Sequence, residues 1–291
     1  MRITVFTPTF NRGDLLPILY NSLVEQTYKD FEWVIVDDGS TDTTEAIVKD
    51  WLVENIIKIN YYKQKNGGKH RAINKGVDLA KGELFFIVDS DDYLPTTALK
   101  IVNEKYKEAK GKYEIAGVAG RRMFKDENIV GSNNFKEILT NSIDIRYKYN
   151  VTGDLVEVFE VEVLKQYPFP EFDNEKFCPE ATIWNRIAAV HNLLFFNEGI
   201  YITEYIAGGL TANIVKIRMQ SPQGAMLCYS ELEKHTIPFL QKIKANTNYW
   251  RFGFCSHQDF WSKFKTVNFF LSFIGFPIGL MMHLNDKRKL T

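Results

Sequence analysis

Two short runs of this chain are apolar at every position, and each ends on aspartates. Trp33-Val34-Ile35-Val36 leads into Asp37-Asp38-Gly39-Ser40, and Leu84-Phe85-Phe86-Ile87-Val88 leads into Asp89-Ser90-Asp91-Asp92. A strand that is apolar on both sides needs cover on both faces, which a parallel sheet with helices above and below provides. The segments around these runs supply the helices. Leu15, Leu16, Leu19 and Leu23 share one side of Leu15–Gln26, Ala46, Ile47, Trp51 and Leu52 form a second stripe, and Ala72 to Leu79 a third. With Ile3–Phe6 and Ile56–Tyr62 as further strands, residues 1–120 read as a nucleotide-binding type of α/β half.

The remainder is less regular. Asp154 to Glu160 reads as a strand, Pro179 to Val190 as a helix, and Leu194–Phe196 and Ile200–Tyr205 as extended. Gly208-Gly209-Leu210-Thr211 reads either as a loop over a site or as a turn before a helical stretch from Ile214 to about Lys244. This gives a middle region over 121–212 and a C-terminal helical region over 213–291. Between Lys265 and Asp286 lie 20 residues without a formal charge, flanked by Lys263 and Lys265 and by Lys287, Arg288 and Lys289. That length spans a bilayer, but Pro277 is expected to break the helix in its middle. Anchoring on a membrane surface, packing on protein and a true span all remain open.

The 291 residues are 45% hydrophobic and 25% charged, a globular composition. Lys+Arg and Asp+Glu both number 36, so nothing draws the whole chain to nucleic acid, and no nucleic-acid partner is expected. Cys178, Cys228 and Cys255 are scattered and odd in number, which reads as three reduced thiols. The first residues run straight into a strand with no secretory signal before it, so a cytoplasmic location is expected.

Ligands of open parallel sheets bind beyond the carboxyl ends of the strands. There the sequence converges Asp37, Asp38, Asp89, Asp91 and Asp92. So many carboxylates repel one another unless cations neutralise them. Asp89-Ser90-Asp91, if extended, puts two carboxylates on one side, and hard oxygen ligands of this kind suit Mg²⁺ or Mn²⁺ with a phosphate as co-ligand. Asp42-Thr43-Thr44-Glu45 reads instead as a helix capping box. No Gly-x-x-x-x-Gly-Lys-Ser/Thr loop, no Gly-x-Gly-x-x-Gly after the first strand and no Gly-x-Ser-x-Gly elbow is present. A nucleotide-diphosphate site that relies on a metal remains.

Thr7-Pro8-Thr9-Phe10-Asn11-Arg12, Val36-Asp37-Asp38-Gly39-Ser40-Thr41-Asp42, Asn66-Gly67-Gly68-Lys69-His70-Arg71 and Val88-Asp89-Ser90-Asp91-Asp92 follow one another in that order. Together they resemble the N-terminal half of family 2 glycosyltransferases of the GT-A fold, over roughly residues 1–120. The resemblance implies a metal-dependent, inverting transfer from a nucleotide-sugar, most often a UDP-sugar, of hexosyl or N-acetylhexosaminyl type. It implies that Thr7, Pro8, Thr9 and Asp38 line the nucleoside pocket, Asp89 lies near the ribose, and Asp91 binds the metal, with Asp92 sharing it or holding a loop. The family's Ala-Arg-Asn triplet is here Ala72-Ile73-Asn74, which leaves Lys69 or Arg71 to meet the nucleotide. The base is expected at Phe177-Cys178-Pro179-Glu180, with Glu180 in the first turn of a helix and Asp154 and Glu157 as runners-up. Asp154 and Trp184 are possible substrate contacts. The acceptor implied is a glycan or lipid-linked glycan of cell-surface polysaccharide synthesis, met at the inner face of the membrane. The alternative is a non-catalytic nucleotide-sugar or glycan-binding protein of the same fold.

Overall fold

The computed structural model describes residues 2–131, 135–203 and 210–290, the side chains of 210–212 excepted. In chain order the elements are β1 (Ile3–Thr9), α1 (Leu16–Val24), β2 (Phe31–Asp37), α2 (Thr44–Glu54), β3 (Ile59–Lys63), α3 (Lys69–Leu79), β4 (Leu84–Ile87), α4 (Ala98–Lys110), β5 (Gly117–Met123) and β6 (Ile138–Thr140). There follow α5 (Asp144–Tyr147), β7 (Leu155–Glu160), α6 (Val161–Gln166), α7 (Ala181–Ala188), β8 (Leu193–Ile202), α8 (Leu210–Gln220), α9 (Pro222–Lys234), α10 (Phe239–Gly253), α11 (Phe260–Thr266) and α12 (Phe269–Leu290). Two compact units result: Met1–Pro168 with Val190–Tyr205, and Phe169–Ala189 with Ile206–Thr291.

The first unit holds one sheet in the order β3-β2-β1-β4-β7-β5-β8-β6. β7 and β6 run against the other six strands, so the expected mostly parallel α/β sheet is present. Strands β1, β2 and β4 are almost wholly buried because helices cover both faces. On one face Tyr20 of α1 stacks on Trp51 of α2 at 4.2 Å, and both pack on Trp33 of β2. On the other, Phe6 lies under α3 with its ring 4.9 Å from that of Phe85. The sheet does not stop near residue 120. β7 inserts between β4 and β5, and the two extended segments expected at Leu194–Phe196 and Ile200–Tyr205 join in one strand, β8, with 204 and 205 outside the described residues.

The second unit is helical. The single stretch expected over Ile214–Lys244 is three helices, because Pro222 opens α9 and Pro238 precedes α10. A proline lacks the N–H that continues a helix and disfavours helical geometry in the residue before it. Pro277, by contrast, does not break the tail: α12 runs through it for 22 residues. It is held there by packing. Ser272 Oγ accepts from Trp250 Nε1 at 3.0 Å, and Arg251 grips Asp286 through two contacts of 2.6 and 2.9 Å. A Cβ on Gly275 would fall 2.1 Å from Asn246 Oδ1, and one on Gly279 2.7 Å from the Thr247 carbonyl. These contacts outweigh the one helix hydrogen bond that Pro277, on the exposed side, cannot donate. All three cysteines are free thiols.

Candidate active site

Because β1, β2, β4, β5 and β8 are parallel, their carboxyl ends share one edge of the sheet. β7 is antiparallel, so its start, just after Asp154, lies at that same edge. Pro8 fits there because Phe6 accepts from Val88 on the β4 side, and two residues on, where an N–H would be wanted, β4 has already ended.

The first aspartate pair is committed to the protein. Asp37 is fully buried and accepts from Ser40 N at 2.7 Å and Tyr61 Oη at 2.6 Å. Asp38 accepts four hydrogen bonds: Gln64 Nε2 and Gly67 N on one oxygen, Asn66 Nδ2 and Gly68 N on the other. A carboxylate has about four acceptor positions, so Asp38 clamps the loop that opens α3. Gly68 meets it at φ +97°, a backbone region glycine enters without strain. Thr7 turns its hydroxyl inward to accept from Trp33 Nε1 at 2.9 Å, and its main chain lies in the β1–β2 ladder opposite Ile35. The buried Thr9 hydroxyl has no hydrogen-bond partner among the described residues. Asp42 binds the N–H groups of Gly13 and Thr44. It thus caps from outside α2, while Glu45 pairs with Lys49 and Lys63 instead of closing the expected box.

The second aspartate group forms a turn, not the extended segment expected. β4 ends at Ile87, and Asp92 N donates to the Asp89 carbonyl at 3.1 Å. Ser90 and Asp91 therefore occupy the tip. Asp89 pairs with Lys69 Nζ at 2.5 Å. Burial alone would raise its pKa, but Lys69, Arg122 and Arg12 outweigh burial and hold the carboxyl below its usual range. Asp92 is buried and accepts from Tyr201 Oη at 2.8 Å, with Arg122 Nη1 3.6 Å away. Burial pushes it up to about 6, against the lowering pull of Arg122. Tyr201 Oη also accepts from Asp89 N at 2.9 Å and so ties both ends of the turn together. Arg122 stacks on the Tyr201 ring at 4.3 Å. Burial opposes its charge, but Tyr201, Asp89, Asp92 and Asp154 outweigh that. Asp91 is different. Its carboxylate is 30% exposed, accepts no hydrogen bond among the described residues, and has Arg12 Nη2 at 3.8 Å.

Asp154 is exposed at the same edge, and its carbonyl accepts from Arg122 N at 3.4 Å. Glu157 lies inside β7, opposite Ala119 of β5, away from that edge. Arg71 donates to the Gly67 carbonyl at 3.0 Å and so braces the same loop as Asp38. Glu180 and Trp184 belong to the second unit. Glu180 is the residue just before α7 and not inside its first turn as expected, and its carbonyl receives the Ile183 and Trp184 N–H groups. The Trp184 ring meets Phe169 edge-on at 6.1 Å. In the Gly208–Thr211 segment, residues 208 and 209 and the side chains of 210 and 211 lie outside the described residues.

The sequence model of glycosyl transferase family 2 matches residues 4–163, more than half of the chain. The chain belongs to glycosyl transferase family 2. This glycosyltransferase is 26% identical over 222 residues to glycosyltransferase GlyG of Streptococcus pneumoniae, covering 72% of each chain. It is 29% identical over 192 residues to the GalNAc(5)-diNAcBac-PP-undecaprenol beta-1,3-glucosyltransferase of Campylobacter jejuni, covering 63% of this chain and 58% of that one. Among solved structures, Staphylococcus aureus TarS 1-349 in complex with UDP-GlcNAc superposes with a TM-score of 0.63 at 18% identity, over 99% of this chain and 92% of that one. That likeness establishes the GT-A fold.

Sequence reasoning found Lys69 and Arg71 but missed two further cations at the aspartate edge, Arg12 and Arg122. Arg12 stands in a motif already singled out, and Arg122 sits in the Arg121-Arg122 pair that ends an apolar strand. Tyr201 gives no signal in the sequence. The five carboxylates thus do not all await a metal. Protein donors and cations satisfy Asp37, Asp38, Asp89 and Asp92, and Asp91 alone stands open. No cluster of three or more metal-ligating side chains occurs among the described residues. One open carboxylate still fits Mg²⁺ or Mn²⁺, which bind through one or two carboxylates plus substrate phosphates and water.

Proposed function

We propose that this glycosyltransferase moves a hexosyl or N-acetylhexosaminyl group from a UDP-sugar to a hydroxyl of a lipid-linked or polymeric glycan, with inversion at C1. The carrying observation is the open Asp91 at the tip of the 89–92 turn, with Arg12 beside it, while Lys69 and Arg122 pair with its neighbours Asp89 and Asp92. A diphosphate is dianionic or more, and a turn that offers one open carboxylate and gathers three cations on its aspartates matches a metal–diphosphate pair. Asp91 would hold the Mg²⁺ or Mn²⁺, which supplies Lewis-acid stabilisation of the departing diphosphate. Thr7, Pro8 and the Thr9 hydroxyl would line the nucleoside, and Asp38 would act by fixing the Gly67-Gly68 loop. Asp89 would meet the ribose once Lys69 turns to the phosphates. Glu180 would take the proton of the acceptor hydroxyl as its oxygen bonds to C1 and the C1–O bond to the diphosphate breaks. Asp154 and Trp184 would contact substrate.

The acceptor class is supported by relatives, one named for PP-undecaprenol and one, TarS, for poly(ribitol-phosphate). We place the work of this chain at the cytoplasmic face of the cell membrane. The test uses a panel of UDP-sugars with Mn²⁺, read as UDP release with and without acceptor. Glu180→Gln is expected to lower transfer by about a hundredfold to ten-thousandfold, the usual worth of a general base, and to leave UDP binding unchanged. Asp91→Ala is expected to abolish transfer and to weaken UDP binding only when Mn²⁺ is present. Near-normal turnover in Glu180→Gln removes the base assignment, and tight UDP-sugar binding with no release favours the non-catalytic alternative.

A further inference from the structure

Helix α12 wears its apolar side outward. Ser272, Gly275, Gly279 and Asp286 are buried, while Phe270, Phe273, Ile274, Ile278 and Met281 face solvent, with Phe270 78% and Met281 70% exposed. Phe270 and Met281 are eleven residues apart, about three helical turns, so one continuous stripe joins them. Helix α11 adds Trp261, 68% exposed, beside a cavity of about 370 Å³ lined by Phe264, Phe269, Phe273, Phe276 and Pro277.

Charge selects the occupant of this face. From Phe260 to Leu290 the only acid is Asp286, and it is buried in its pair with Arg251. Lys263 is buried too, donating to the Gly253 and Ser256 carbonyls. Counting the N-cap of α11, the exposed charges are one acid, Asp259, and four bases: Lys265 at one end of the stripe, and Lys287, Arg288 and Lys289 at the other. A second copy of the same face would bring like charges together. An anionic lipid surface satisfies both the apolar stripe and the cations at its ends.

We propose that α11 and α12 form a docking surface for an anionic lipid bilayer, with α12 lying in the plane of the interface. By length and composition α12 qualifies as a span. Spanning would strip it from α10, breaking the Arg251–Asp286 pair and the Trp250–Ser272 hydrogen bond. The docking does not depend on the transfer chemistry. Its use, bringing the site to a lipid-linked acceptor, rests on the function proposed above.

The test is sedimentation of the full chain with vesicles of phosphatidylcholine, with and without an equal share of phosphatidylglycerol. Wild type is expected to sediment with the mixed vesicles, to bind pure phosphatidylcholine far more weakly, and to be released by alkaline carbonate. Each cation near the surface is worth roughly a fivefold gain, so replacing Lys287, Arg288 and Lys289 by Gln should weaken binding by about a hundredfold. Phe270→Glu with Met281→Glu should abolish it. Both variants alter exposed side chains, so circular dichroism and UDP release without acceptor should match wild type. Equal binding to both vesicle types, resistance to carbonate, or no vesicle binding alongside a dimer that Phe270→Glu dissolves would each overturn the proposal. Vesicle binding by a protein that releases no UDP would leave this surface standing and remove the transfer function.

Discussion

Asp92 shows how far a residue's behaviour depends on what surrounds it. Burial pushes its pKa up to about 6, from 3.8 for an ordinary aspartate. The folded chain therefore holds this proton more tightly than the unfolded chain does. Stability falls as pH rises between about 4 and 6, and above that the full cost of the buried charge, about 3 kcal/mol, is present. Asn at this position cannot ionise and still accepts from Tyr201. In chelator, Asp92→Asn is expected to raise the melting temperature over wild type by more at pH 8 than at pH 5. An equal difference at both pH values would show that burial of the charge is not what governs Asp92. The sequence made the five aspartates legible as a group, but Asp38 and Asp91 look alike in it. They part company because the Gln64–Gly68 loop folds back on one and a turn lifts the other out of the sheet. Those donors are distant in sequence, and no local pattern announces them.

Elements were legible where one physical cause dominates. Continuous apolar runs gave β1, β2 and β4, and 3.6-residue spacing gave α1 and α2, within a few residues. Prolines were read less well, because their effect depends on packing. Pro222 and Pro238 divide the helices, whereas Pro277 is carried within α12 by the close fit of Gly275 and Gly279 on α10. That fit leaves no room for a side chain. Gly275→Leu is expected to lower stability by about 3 kcal/mol or more through overpacking, measured by urea unfolding. Met281→Ser, on the exposed side of the same helix, should stay within about 0.5 kcal/mol. Similar losses in both variants would mean that α12 is not seated through its glycines.

Across the whole molecule, the part that names the family and the part that would complete its chemistry are supported differently. The family match ends at residue 163, yet α7, which follows Glu180, packs within the second unit. Two contacts with α9 fix that segment. Glu175 accepts from Gln223 N and Gly224 N at 2.8 and 3.0 Å, and Arg186 forms a two-point pair with Glu231 at 2.9 and 2.7 Å. A base works only when held within hydrogen-bond reach of its proton, and a displacement of about 1 Å can cost a hundredfold in rate. The C-terminal helices would then serve catalysis by holding α7, separately from any role at a membrane. Glu231→Ala removes the α9 side of the Arg186 pair without touching the aspartate edge. It is expected to lower transfer by roughly tenfold to a hundredfold while the affinity for UDP with Mn²⁺, read by calorimetry, stays as in wild type. Parallel loss of UDP affinity would mean that the two units fail together, and unchanged transfer would mean that α7 needs no support from α9.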